Sequence, residues 1–309
     1  RYKYISERQF ILVLSVLVGF LAGLGTVLLK YLTLFIQSVL EGGFIRNYYY
    51  SLYFIFPIVG VWLVYLIKKN FLKKEIGHGI STTLYAISKR SGIIERYKMF
   101  ASFMVAPITV GFGGSVGLQG PAVSTGAAIG SNVASMFHMN AKTRMLLIGC
   151  ATAGAMSSMF KAPVAAIVFA VEIFSLDLIF TSLVPLLLAS VAAVITSYFF
   201  RGTDVLFSFE LLDAWRVKDI IFYVFLGLAT GIASVYFSRM YFLITRFFGW
   251  FSNAYVKIGI AAFAIGLMLY LFPPLYGEGY GLINNLLNGE TEAALNGIQY
   301  QIDFNNVWI

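Results

Sequence analysis

The chain has 309 residues, 59% of them hydrophobic and only 12% charged, with a mean hydropathy of +0.82 and a formal net charge of +8. Soluble globular domains carry about a quarter charged residues, so this composition excludes an ordinary soluble fold and points to a membrane protein. The single cysteine, Cys150, lies in an apolar stretch, which excludes an intramolecular disulfide framework or a cysteine metal cluster and leaves packing as its expected role.

In chain order, apolar segments fall at about 10–38, 51–67, 99–112, 121–137, 145–172, 179–200, 219–248 and 256–276. The stretches Phe10–Leu29, Ile179–Phe200 and Ile220–Tyr236 approach or meet the roughly 20 residues that cross a bilayer core. The first is too long for a signal-peptide core and no small-residue cleavage site follows it. Arg1 implies that the sequence starts downstream of a native Met. Arg1, Lys3 and Arg8 flank the first span, and Lys68, Lys69, Lys73 and Lys74 follow the second. This positive charge reads as juxtamembrane rather than as a nucleic-acid footprint, and it places both loops and the N-terminus on the cytoplasmic side, with Glu41–Tyr50 outside.

Beyond the second span, Gly77-His78-Gly79-Ile80-Ser81 leads into a short helical pattern, Thr82 to Ser88. Met99–Gly120 carries Pro107, Gly111, Gly113, Gly114, Gly117 and Gly120 and is too interrupted to cross as one straight helix. Broken or half-length helices are expected there. In lipid an open backbone costs several kcal/mol per unpaired group, so such breaks survive only beside protein or a water-lined cavity, and they mark a permeation path. Gly111-Phe-Gly-Gly-Ser-Val-Gly-Leu-Gln-Gly-Pro121 opens into a helical pattern over Ala122–Phe137, with Pro121 suited to the first helical position. His138 is expected at that helix's end, as an interfacial or C-capping residue. Lys161 is expected to snorkel. Glu172 in an apolar helix is expensive unless paired or hydrated, which suggests a functional or interface role.

An internal repeat runs through the chain. Gly19 and Gly23 match Gly227 and Gly231, Pro57 and Gly60 resemble the Gly259–Pro274 span, and Gly77-His78-Gly79 resembles Gly277-Glu278-Gly279. The reading is one membrane domain over 1–309, with a first repeat at 8–200 and an incomplete second repeat at 219–309. Odd-numbered repeats require inverted topology, a plan that places binding between the repeats. An incomplete repeat leaves an apolar face unpaired, so the sequence is expected to be a fragment.

The glycine-rich loops carry the chemistry. A helix N-terminus presents about four unpaired N–H donors and a partial positive charge, an anion site without a cationic side chain. Taking a small anion out of water costs several kcal/mol or more, whereas one helix dipole returns about 0.3 to 2. Several donors must therefore meet. Three or four charge-assisted hydrogen bonds at about 1.5 to 3 kcal/mol each offset the loss and leave binding weak enough for release. Close helix packing is the competing reading for either loop alone; both loops together favour the ion.

Gly113-Gly-Ser-Val-Gly-Leu-Gln-Gly-Pro121 resembles the motif of the CLC chloride channel and transporter family in which a gating glutamate precedes Gly-Pro, with Gln119 at that position. Gly77-His-Gly-Ile-Ser81 resembles the family's Gly-Ser-Gly-Ile-Pro, and Phe160–Glu172 is similar to its Asn-Ala-Pro stretch. The resemblance implies an all-α polytopic membrane protein, a CLC-type fold of inverted-topology repeats with broken and half-length helices. It also implies a homodimer in which Val164–Thr196 carries half of the interface. Gln119 has no titratable proton, and the antiporters' internal proton glutamate falls at Ile173, so both proton stations are absent. No counterpart to the family's Gly-x-Phe-x-Pro motif or pore tyrosine lies beyond Ile220.

The function expected is passive conduction of chloride-like anions. His78, Gly79, Ile80, Gly117, Gln119 and Gly120 are the anion-binding candidates and Gln119 the gate. His78 either attracts anions when protonated or donates as a neutral imidazole. Coupled chloride/proton exchange is the alternative within the family, and an intramembrane enzyme or a non-transporting scaffold the alternative from another class. Two His, one Cys and no His-Glu-x-x-His spacing offer no constellation for chemistry, so no enzyme, metal or cofactor is expected. The expected partners are chloride or a similar small anion, the lipid bilayer and a second copy of the chain. The expected location is a bacterial inner (plasma) membrane, with multiple passes.

Overall fold

The computed structural model describes residues 6–40, 52–73, 77, 79–174, 180–202, 206–207 and 216–289. His78 lies outside the described residues, as does the Glu41–Tyr50 loop.

Among the described residues the regular structure is helical. Ser6 and Gln9 open α1 (Glu7–Leu40) with a reciprocal capping box: the Ser6 N–H donates to Gln9 Oε1 at 3.1 Å and the Gln9 N–H to Ser6 Oγ at 3.3 Å. After it come α2 (Leu52–Ile67), which ends in a π-helical turn at Lys68–Leu72, α3 (Ile80–Lys89), α4 (Lys98–Gly111), α5 (Gln119–Met136) and α6 (Ala141–Phe160). The chain continues through α7 (Pro163–Phe174), α8 (Phe180–Arg201), α9 (Ile220–Gly249), α10 (Ala254–Leu271) and α11 (Tyr280–Leu287). Among the described residues, five helical stretches are long and apolar enough to cross a bilayer: Glu7–Leu40, Tyr53–Leu72, Ser182–Arg201, Val217–Gly249 and Ala254–Leu271.

The broken helices are present. With 10, 14, 12 and 8 residues, α3, α4, α7 and α11 are about 12–21 Å long at 1.5 Å per residue, short of a hydrocarbon core of about 30 Å. Three boundaries differ from the sequence expectation. The 145–172 segment divides at Lys161, which sits at φ 55, because Pro163 starts a new helix rather than continuing the old one. The helix after Gly79 begins at Ile80, two residues early. Likewise α5 begins at Gln119, so Pro121 is its third residue, still within the first turn where a missing N–H costs nothing.

The core centres on α6, in which every residue from Leu147 to Met159 is buried. Small residues make this possible. A Cβ on Gly126 would fall 2.7 Å from the Ala151 carbonyl oxygen and one on Gly130 2.4 Å from that of Leu147, so α5 crosses α6 in direct backbone contact. On the other side of α6, Ser157 Oγ donates to the Ser190 carbonyl at 2.8 Å, Ser197 Oγ to that of Ser158 at 2.9 Å, and Ser158 Oγ to that of Gly23 at 3.2 Å, tying α1, α6 and α8 together. Cys150 is buried beside Ser15, in the packing role expected of it.

Two quieter expectations also have structural outcomes. His138, at φ 55, ends α5 in a Schellman arrangement: its N–H donates to the Ser135 carbonyl and that of Met139 to the Ala134 carbonyl. Lys161 anchors the end of α8, donating from Nζ to the Gly202 carbonyl at 2.7 Å and lying 5.1 Å over the Tyr198 ring.

Candidate anion site

Two helices, α3 and α5, begin beside one another. Gly79, the residue before α3, has φ 51 and ψ −109, a conformation that only glycine adopts without strain. A Cβ there would lie 3.2 Å from the Gly120 carbonyl oxygen and 3.3 Å from Gly120 Cα, so the two helix starts meet main chain to main chain. Gly77, at φ 80, turns the chain into this contact.

Between the starts lies a partly open cavity of about 400 Å³, lined by Gly77, Gly79, Ile80, Ser81, Ser102, Val105, Ala106, Gly120, Pro121 and Ser124. Of the candidates read from sequence, Gly79, Ile80 and Gly120 line it. Gly117, in the loop before α5, and Gln119, the first residue of α5, are not in the lining and are both exposed. At the start of α5 the Ala122 N–H bonds back to the Leu118 carbonyl at 2.9 Å and Pro121 has no N–H, which leaves Gln119 and Gly120 as the open donors. Ser102 and Ser124 add hydroxyls from α4 and α5 that the sequence reading did not single out.

Above this loop sits a polar cluster whose charged members the sequence reading missed as site residues. Glu278 bridges two partners: its Oε2 lies 2.8 Å from Lys30 Nζ and its Oε1 accepts a long, 3.4 Å hydrogen bond from the Leu118 N–H. The Lys30 and Glu278 side chains are only 7% and 10% exposed. Gln119 Nε2 donates to the Tyr280 hydroxyl at 3.2 Å, and Lys30 Nζ lies 5.0 Å over the Tyr280 ring. Tyr276 completes the cover by donating its O–H to the Gly111 carbonyl. Removing one member of such a buried pair strands the other charge and costs about 3–5 kcal/mol. Lys30 was detectable in principle, as a lone ionisable residue inside a membrane-length apolar helix; its partner, 248 positions away, was not.

A profile of the family described as voltage gated chloride channel matches residues 59–304. The chain belongs to that family. It is 26% identical over 300 residues to the H(+)/Cl(−) exchange transporter ClcA of Vibrio cholerae, covering 92% of this chain and 64% of ClcA. It spans 55% of a ClcB-like protein from Ralstonia nicotianae. A slow cyanobacterial Cl−/H+ antiporter superposes with a TM-score of 0.76 at 19% identity, covering 95% of this chain and 72% of that one. A CLC-type fluoride/proton antiporter gives the same TM-score at 24% identity over 91% and 71%. These structural likenesses show the CLC-type fold, and the family together with the membrane-length apolar helices makes this a multi-pass membrane protein.

Within this CLC chain the two positions that departed from the family motifs are now placed. Gln119 is the first residue of α5, engaged by Tyr280. Ile173 is half-buried near the end of α7, while its neighbour Glu172 is exposed on the helix's outer face with Val164 and Val168. Among the described residues no cluster of His, Cys, Asp and Glu has the geometry to hold a metal ion.

Proposed function

We propose that this protein conducts chloride-like anions passively through a CLC-type pathway, with Gln119 as a neutral gate. The observation that carries the reading is the direct contact of Gly79 with Gly120, which aims two helix starts at one cavity. The open N–H groups of Gln119 and Gly120, the first turn of α3 and the hydroxyls of Ser81, Ser102 and Ser124 supply the several donors that a dehydrated anion requires. His78, between Gly77 and Gly79, remains assigned to this lining by sequence. No catalytic role is assigned to any residue, and no cofactor is invoked; the small anion is the substrate.

Coupled chloride/proton exchange is the second reading, favoured by the exchange activity in the name of ClcA and by the antiporters among the structural relatives. Against it stand Gln119 and Ile173, neither of which can carry a proton. A bacterial plasma membrane with a cytoplasmic N-terminus fits the basic residues around α1, and pairing with a second copy through the outer faces of α7 and α8 fits their exposed apolar residues.

One measurement separates the two readings. The full-length protein in sealed liposomes is given a chloride gradient with the potential clamped, and internal pH is followed. Chloride efflux without proton movement above the leak of empty vesicles is expected. Stoichiometric proton movement against its own gradient replaces conduction with exchange.

A further inference from the structure

The carboxylate of Glu278 is held unequally. Oε2 is bound tightly to Lys30, whereas the 3.4 Å contact from the Leu118 N–H to Oε1 is long for a hydrogen bond. That N–H lies immediately before the two open donors of α5. The turn bearing Glu278 is itself pinned: Gly277 and Gly279 sit at φ 71 and 76, and a Cβ on Gly277 would fall 2.7 Å from Gln37 Nε2 of α1. Tyr276 is fastened to Gly111. The backbone of this turn is therefore fixed, and the weaker of the two contacts of the carboxylate is the one to Leu118.

The charges at this point are complementary to a small anion in two ways. Lys30, a residue 5% exposed in an apolar helix, requires a negative partner for its ammonium wherever it is not hydrated. The Leu118 N–H, which reaches the same carboxylate, directly precedes those of Gln119 and Gly120 at the start of α5, where a helix carries partial positive charge. A carboxylate and a halide are alternative occupants of such a site, and both cannot hold it fully at once.

We infer that Lys30 is the cationic member of the anion pathway and that Glu278 is its resident competitor, a carboxylate that an arriving small anion displaces from the Leu118 N–H. The inference deepens the conduction reading and rests on it for its biological meaning. Apparent anion affinity is then set by exchange between Glu278 and the ion, not by the donors alone. A plain structural clasp between α1 and the 276–280 segment would use the same ion pair without affecting affinity.

Chloride binding to the full-length protein in detergent tests this by calorimetry, with chloride efflux from liposomes measured in parallel. Glu278→Gln keeps the shape and removes the competitor, so chloride should bind about tenfold more tightly, the change that about 1.4 kcal/mol produces. In Lys30→Gln/Glu278→Gln the cation is gone as well, and affinity should fall back to the parent value or below. Should Glu278→Gln fail to fold, Glu278→Asp replaces it: one methylene shorter, it cannot span both partners, and chloride should again bind more tightly than in the parent. Chloride affinity unchanged or weakened in the single variant, whatever its thermal stability, overturns the inference and leaves the clasp. A parent protein that passes no chloride refutes the conduction reading, while the ratio of binding constants still decides the competition.

Discussion

The two longest helices, α1 and α9, carry the same glycine spacing in apolar surroundings and meet opposite fates. Gly19 packs so closely on α8 that a Cβ would fall 2.3 Å from the Ala189 carbonyl oxygen, and Gly23 stands 2.9 Å from Ala193 Cα by the same construction. A Cβ on Gly227 or Gly231 would meet nothing within 4 Å among the described residues, and no residue of α9 is buried among them. An identical pattern therefore means a close helix crossing in one place and a smooth, unpartnered surface in the other. A small residue permits close approach; the approaching partner must come from elsewhere in the fold.

The most drastic way to break this comparison is Gly19→Val. The branched side chain would collide with main chain that cannot turn aside, and overpacking of this kind costs about 1–3 kcal/mol or more. Loss of the folded, monodisperse protein in detergent is expected, read by thermal unfolding and gel filtration. Gly227→Val should leave the midpoint unchanged, since substitutions away from any contact stay within about 0.5 kcal/mol. Equal damage from both variants would show that α9 is packed on a partner in the assembled protein.

A smaller effect, on flux rather than fold, is expected from Gln119→Glu, which puts a carboxylate where α5 has open donors. At neutral pH it is drawn to the N–H groups that would hold the permeating anion, and one charge-assisted bond of about 1.5–3 kcal/mol suffices to reduce flux about tenfold. Protonation releases it. The nearby Glu278 charge raises its pKa and the donors lower it, and either way the sign is the same: flux rises as pH falls, more steeply than in the parent. Parental flux at every pH from about 4 to 8 would remove residue 119 from the gate.

The smallest perturbation compares exposed surfaces. Val168 on α7 is 59% exposed and Phe225 on α9 63% exposed, yet only the former lies on the face proposed for pairing. With Cys150 buried, Val168→Cys should form an intermolecular disulfide-linked dimer on mild oxidation, with stability unchanged. Phe225→Cys should remain monomeric on a denaturing gel. The reverse pattern would move the interface to α9.

Much of the architecture was legible because its signals are local. Glycine and proline interrupt Met99–Gly120 where α4 ends and the loop to α5 begins, and the apolar runs gave the membrane helices. Boundaries were less legible for a local reason too: a proline is tolerated anywhere in a first turn, so Pro121 could not say whether α5 starts at 121 or at 119. The ion pair escaped for a different reason. Glu278 was visible only as the middle of a Gly-Glu-Gly turn, and nothing within its own neighbourhood in sequence indicates a lysine in the first helix. Ser102 and Ser124 were similarly silent, since serines recur throughout small-residue packing and their facing the cavity is a matter of tertiary placement.

The meeting of Gly79 and Gly120 fixes how the cavity can vary. A wall made of side chains can be widened or narrowed by rotamer changes and single substitutions, in steps as fine as a methyl group. Here the closest approach is between backbones, held by a torsion that only glycine takes without strain. The aperture at that point is therefore inelastic: no mutation adjusts it without rebuilding the start of a helix. Chemical adjustment is left to Ser102 and Ser124, whose replacement by alanine or threonine alters the hydroxyls and the free volume around an occupant but not the distance between the two chains of donors.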